Sequence, residues 1–358
     1  MEFHLQAEGK KRSPDGGGGL SREELERKAF VFEAFGVAGR ETPVRRLIEE
    51  FAAPLCDERS DDTTGSLVCL KRGSGGGRKI LLEAHMDTVG FIATHVDGKG
   101  FVRFSTVGVP PRAYLLGRRV LFEEGTVGVI GIEKEEHEKN PDPDRMFIDI
   151  GAEGKGDALK RVSIGEACTL YEPPLATDTL LTGAGLNARV GCFILLTAME
   201  SVRAPRDDIY YLFSSQGEVG HRGARTSVYG IEPDVALSVG AAAASDLPRG
   251  DRTSSLRMGG GAAITVMDRN VIVPRRIVDH LESLARGAGI PFQREVNRKD
   301  GSSAQSVQLT RGGVLTGALS VPVRYGRTAG ELCLLEDVKA CVDLATLFCE
   351  SGTKALMR

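Results

Sequence analysis

The sequence predicts an α/β fold interrupted by a small all-β domain. Two observations carry this. Apolar strand-like runs alternate with helical windows towards both ends of the chain, whereas the middle stretch holds short strand-like segments with few helical windows. At 358 residues the chain is long for one core, and a hydrophobic content of 41% can fill two.

Residues 1–20 contain Lys10-Lys11-Arg12 and the run Gly16 to Gly19, and read as a disordered tail. Ser21 and Glu24 form a capping box, and the amphipathic run that follows is a helix to Phe35, stopped at Gly36. Thr42-Pro43 places an N-cap before proline and opens a helix to about Ala53. Residues 67–70 and 79–84 read as strands joined through the glycine-rich loop 73–77. The texture changes from 87 to 186. Asp97-Gly98 marks a hairpin between 89–96 and 101–104, and short strands follow at 119–122, 127–132, 146–150 and 166–171. The α/β rhythm then returns, with helices at 188–202, 275–287 and 336–349 and strands at 208–214, 235–239, 262–267 and 314–321. The expected organisation is a discontinuous α/β domain of residues 21–86 and 187–358, with residues 87–186 inserted as the β domain.

Composition narrows the function. The 46 basic and 49 acidic residues are interspersed, so no basic stripe favours nucleic acid or an anionic membrane. No apolar run reaches transmembrane length, and the polar N-terminus does not read as a signal peptide. The seven cysteines are odd in number, scattered and mostly in apolar surroundings, which reads as buried thiols in a reducing cytoplasm.

The chemistry concentrates in a few places. Leu81 to Asp87 sets an apolar strand directly before His85 and a carboxylate, residue types that suit Zn²⁺. Ligands of open α/β sheets gather at the carboxyl ends of strands. His85 and Gly240 end strands, Glu218 lies just past another, Asn187 opens a helix, and Arg327 follows a strand, so these five positions are expected at one cleft.

Several motifs together give the chain a family resemblance: Ala84-His85-Met86-Asp87, Gly90-Phe91, Thr94-His95-Val96-Asp97, Phe147 to Ala152, Ala188 to Cys192, Val219 to Ala224 and Leu309 to Val314. From about Glu23 to Phe348 the chain resembles the co-catalytic zinc or cobalt aminopeptidases, which include glutamyl aminopeptidases and tetrahedral twelve-subunit aminopeptidases. The resemblance implies a zinc-exopeptidase-like α/β/α sandwich, two metal ions, and an inserted β domain, a barrel or a PDZ-like module, that mediates dimers and larger shells. It also implies that His85 is a metal ligand and that Asp87 orients its imidazole.

At the other positions the chain departs from that family. The bridging aspartate falls on Asn187, the general base on Gly217, the next aspartate ligand on Gly240, the last histidine on Arg327, and a later aspartate on Ser303. Thr88 stands where glutamate is usual, and Glu218 is the other retained ligand. A neutral amide cannot bridge two dications, and Arg327 cannot deprotonate. At an effective dielectric of 20, two unit charges 4 Å apart interact by about 4 kcal/mol, and a dication facing Arg327 meets more. Gly217 has no side chain to accept a proton, which removes roughly 10²–10⁴-fold of general-base catalysis. The expectation is a non-catalytic family member without bound metal. Glu218 is expected to pair with Arg327, a peptide is the expected ligand, and assembly is expected with itself or an active paralogue.

Two other readings compete. A hydrolase with relocated ligands would draw on His85, Asp87, Glu218 and Asp246. A dinucleotide-binding protein would use Gly183-Ala184-Gly185-Leu186-Asn187-Ala188, with Asp207 about 20 residues on, although the preceding segment reads as the exit from the β domain. His95 and His221 lack ligand spacing to another histidine and read as structural or surface residues.

Overall fold

The computed structural model describes Leu20 and residues 22–357, apart from residues 76, 135, 137, 140 and 249–254. The expected tail up to residue 19 and the capping Ser21 lie outside the described residues. In chain order the strands are β1 (Glu58–Asp61), β2 (Leu67–Lys71), β3 (Lys79–His85), β4 (Gly90–Val96), β5 (Val102–Val107), β6 (Arg119–Phe122), β7 (Val127–Ile132), β8 (Met146–Asp149) and β9 (Ala167–Leu170). They continue with β10 (Leu175–Ala176), β11 (Leu180–Gly183), β12 (Asp208–Ser214), β13 (Val235–Ala243), β14 (Ala262–Met267), β15 (Phe292–Val296), β16 (Leu315–Val323) and β17 (Glu331–Leu334). The helices are α1 (Arg22–Lys28), α2 (Phe30–Glu33), α3 (Thr42–Ala52), α4 (Lys155–Arg161), α5 (Leu186–Ser201), α6 (Arg222–Ile231), α7 (Arg275–Ala288), α8 (Ala304–Gln308) and α9 (Leu335–Ser351).

An eight-stranded sheet in the order β1-β2-β12-β3-β13-β16-β14-β15 forms the α/β part. Its centre is parallel: β12 and β13 flank β3, and β16 pairs with β13. Strands 67–71 and 79–85, close in sequence, are separated by β12, as a crossover would require. α5 is apolar on all sides and buried almost throughout, as expected of a helix between the sheet and another helix, here α9. Gly191 lets α5 lie close on β13, since a Cβ there would meet the Val239 carbonyl at 2.4 Å.

The β segment closes into a barrel, β4-β5-β8-β7-β6-β9, which settles the alternative between barrel and PDZ-like module. Its inward residues, among them Phe91, Val102, Phe104, Phe122, Ile148 and Cys168, form a core of their own. β10 and β11 lie outside this barrel, in a three-stranded sheet with β17.

Some expectations need correction. The helix expected over 21–35 is two pieces broken at Ala29. Lys28, at the break, is buried with its ammonium 2.6 Å from Glu200 and 3.4 Å from Glu24. α6 has no counterpart in the expected elements: it starts after His221, whose φ is 52°, and contains Gly223 and Gly230, which weaken a helical pattern. β15, a polar edge strand, was equally hidden because it lacks an apolar run.

Candidate functional site

Parallel pairing aligns the carboxyl ends of the central strands, with Ser214 beside His85 across β12 and β3. That edge delivers His85 from β3, Gln216 to Glu218 after β12, Gly240 from β13 and Arg327 beyond β16. Asn187 enters from the start of α5, where Asn187 and Ala188 have non-helical backbone angles. All five expected positions, and Gly217, line one polar cavity of about 450 Å³.

Asp87 organises the floor. It is fully buried, with Oδ1 accepting the Gly217 N–H at 2.6 Å and Oδ2 accepting the Glu218 N–H at 2.8 Å. Oδ1 also lies 3.3 Å from His85 Nδ1. Burial alone would raise the Asp87 pKa, but His85 and the two amides outweigh it and hold the group below the usual carboxylate range. Burial would lower the His85 pKa. The hydrogen bond to Asp87, with the charges of Asp87, Glu218 and Glu83, instead pushes it up to about 9. Thr88, in place of glutamate, is buried, and its N–H donates to the Gly36 carbonyl at 3.0 Å.

Gly217 has a reason to be glycine in this arrangement. A Cβ there would lie 2.3 Å from His85 Cγ and 2.5 Å from Nδ1. An acid at 217 therefore requires the imidazole to move. Gly217→Glu is expected to lower stability by about 1–3 kcal/mol through overpacking. A urea melt reads this, and an unchanged midpoint would show that the ring turns aside freely. Gly240 is different, because a Cβ there meets only Ala188 Cβ, at 3.9 Å.

Arg327 extends into the same space. Its Nε lies 3.6 Å from Glu218 Oε2, the expected Glu–Arg contact, and Nη1 donates to Asp300 at 3.2 Å. Nε itself is buried without a hydrogen-bond partner among the described residues. Burial raises the Glu218 pKa, and the opposing pull of Arg327 and His85 only partly offsets it. Behind them the buried Glu331 accepts the Asn187 N–H at 2.9 Å and the Arg327 N–H. Burial pushes Glu331 up to about 8 despite these bonds.

Two groups that the spacing argument missed sit here. His221 lines the cavity, its ring centroid 6.1 Å from that of His85, which corrects its reading as a structural or surface residue. Burial, then the charge of His85, lowers its pKa to about 4, and Nδ1 has no hydrogen-bond partner among the described residues. Spacing could not find it, because β12 and the turn before α6 bring it back to β3. Glu83, buried within β3, accepts hydroxyl hydrogen bonds from Ser214 at 2.6 Å, Ser238 at 2.9 Å and Ser303. Its signal was an acid inside the apolar run Ile80 to Ala84. Asp246 is instead held by Arg324, at 2.6 and 2.9 Å, and does not line the cavity. Gly183 ends, and Ala184 and Gly185 follow, a strand of the antiparallel three-stranded sheet rather than the first strand of a parallel βαβ unit. Asp207 accepts the Thr353 N–H at 2.7 Å. The dinucleotide pattern is therefore a coincidence of spacing.

The residues present do not fit two zinc or cobalt ions. Among the described residues, no group of three or more His, Cys, Asp or Glu side chains could hold a metal ion. A catalytic zinc takes three protein ligands and an open position. At the expected ligand positions this cavity offers only His85 turned to Asp87, Glu218 facing a guanidinium, an amide at Asn187 and no side chain at Gly240.

Comparisons with known proteins agree with the fold. The model of the M42 glutamyl aminopeptidase family matches residues 65–344. An aminopeptidase homologue from Acetivibrio thermocellus is 39% identical over 311 residues, covering 86% of this chain and 93% of that one. An aminopeptidase from the archaeon Desulfurococcus kamchatkensis superposes with a TM-score of 0.88 at 30% identity, over 92% of this chain and 95% of its own. The Pyrococcus horikoshii TET1 peptidase, which can assemble into a tetrahedron or a large octahedral shell, superposes at 0.81 with 26% identity, over 92% of this chain and 100% of its own. By the length of that match and the identity to its relatives, the chain belongs to the M42 glutamyl aminopeptidase family.

Proposed function

We propose that this chain is a non-catalytic member of the family, which binds peptides in the polar cavity without cleaving them. The observation that carries the reading is the guanidinium of Arg327 lying 3.6 Å from Glu218, where the family resemblance puts a metal between two ligands. Gly217, packed on His85, removes the proton acceptor independently. In this reading His85 and Glu218 are inherited ligands, and Asn187, Gly240 and Arg327 occupy lost ligand positions. Residues 87–186 are the inserted domain through which the chain assembles with itself or an active paralogue, as the shells of the Pyrococcus horikoshii relative suggest. Seven free cysteines, six of them buried, and the absence of any helix long and apolar enough to cross a membrane among the described residues accord with a cytoplasmic setting.

One preparation tests these points. Elemental analysis after purification with zinc and cobalt in the medium is expected to give far less than one ion per chain. Aminoacyl-nitroanilides are expected to be hydrolysed no faster than background, and light scattering to give a mass above the 38.3 kDa of one chain. Two ions per chain, with turnover abolished in His85→Ala, would overturn the non-catalytic reading. A monomeric mass would remove self-assembly.

A further inference from the structure

A second cavity, of about 280 Å³, lies on the other side of Asn187 and Arg327, which line both spaces. We propose that it is a binding site for an uncharged aromatic molecule of about two rings. Its walls are largely apolar: Phe30 and Phe35 come from the N-terminal segment, Leu47 from α3, Leu121 from the barrel, and Tyr171 and Pro173 from the exit of the barrel. Aromatic rings and proline give such a wall a fixed shape and flat faces on which a second π-system stacks.

The charges around it select against an ionic ligand. Five charged residues contribute to the lining, and four are already engaged within the protein. Arg189 donates to the carbonyls of Met86, Val31, Ala34 and Gly36. Glu331 accepts backbone N–H groups of Asn187 and Arg327. Arg327 turns towards Glu218 and Asp300 on the polar side, and Glu172 lies 3.2 Å from Arg119. The fifth, Glu33, is exposed to solvent. An anion would have to draw Arg189 or Arg327 from these partners, and a cation would find only Glu33 and Glu172 at the solvent edge, where an ion pair contributes little. Size sets the rest. An apolar cavity of about 150 Å³ holds benzene, so this space suits a fused or linked pair of rings.

N-phenyl-1-naphthylamine, a neutral probe that is dark in water and bright in apolar surroundings, tests the site on the full chain. The expected result is saturable binding of one probe per chain. Leu47→Glu, on a side chain 37% exposed, sets a carboxylate beside the lining and is expected to weaken binding about tenfold or more. Ala184→Phe, which fills the cavity from its wall, is expected to abolish binding, with circular-dichroism melts confirming that each variant is folded. If Ala184→Phe does not fold, Leu47→Glu decides alone. No saturable signal from the wild-type chain overturns the proposal, whether the cavity is closed or filled by the chain's own residues. Equal affinity in a folded Leu47→Glu variant does so too, because the probe would then sit elsewhere.

Discussion

Arg189→Met is expected to destabilise the fold by about 3–5 kcal/mol, the largest effect of any single substitution near the site. The residue is 3% exposed, and among the described residues its hydrogen-bond partners are backbone carbonyls, with Asp87, Glu41 and Glu331 acting on it only through their charge. Its Nε donates to the Met86 carbonyl at 2.9 Å, Nη2 to Gly36 at 3.1 Å, and Nη1 to Val31 at 3.3 Å and to Ala34. Burial lowers its pKa to about 10, which still leaves it charged at neutral pH. Replacing a buried ion pair by apolar groups is often harmless, because both charges leave together. Here the partners are backbone carbonyls that no side-chain substitution can remove. Methionine fills much of the volume and strands those acceptors in a dry interior, at about 1–3 kcal/mol for each one left unpaired. Gly36 loses less, since it also accepts the Thr88 N–H. The same bonds hold α2 and Gly36 against the segment Met86 to Thr88, so Asp87 should loosen as well. Arg189→Lys, with one ammonium for four carbonyls, should fall between. Urea denaturation measures the series, and a loss under about 1 kcal/mol for the methionine variant would show that water or a shifted backbone satisfies the carbonyls.

The difference between what the sequence revealed and what it hid follows from how local each signal is. His85, Glu218, Gly240 and Arg327 could be brought together on paper because each sits where a strand ends, and strand ends share an edge in a parallel sheet. Gly36 reads in the sequence as a helix stop, although α2 already ends at Glu33. Its tighter reason is not legible there, because a Cβ at this position would lie 2.5 Å from Arg189 Nη2, a contact 153 residues away along the chain. In the sequence Gly217 shows only a missing base, whereas the packing of His85 against it is a contact made in three dimensions. His221 is hidden in the sequence because no other histidine stands at ligand spacing from it, whereas a tight turn after β12 returns it to His85. Glu83 with its three serines was hidden by parity. A buried acid in a strand reads as an outward-facing residue until the strands on both sides are known to present hydroxyls to it.

Glu295→Gln is expected to stabilise the protein, and to do so only above acidic pH. Glu295 is 4% exposed at the end of β15, where Thr265 donates to its Oε2 at 2.7 Å. Burial raises its pKa from 4.5 to about 7, and the hydrogen bonds from Thr265, Ser320 and Asn297 offset only part of that. The folded chain therefore holds this proton where the unfolded chain has released it. Stability from this group is fully present below about pH 4.5, is lost as pH rises towards 7, and is flat beyond, because both states are then ionised. The whole change amounts to about 3 kcal/mol, at roughly 1.4 kcal/mol for each pH unit between the two values. Glutamine keeps an oxygen for the Thr265 hydroxyl and never ionises. The two proteins should melt alike near pH 4.5, separate progressively to pH 7, and keep a constant gap at pH 8. A gap that does not vary with pH would mean that the carboxylate is stabilised by contacts or water not seen around it, and that its burial carries no electrostatic cost.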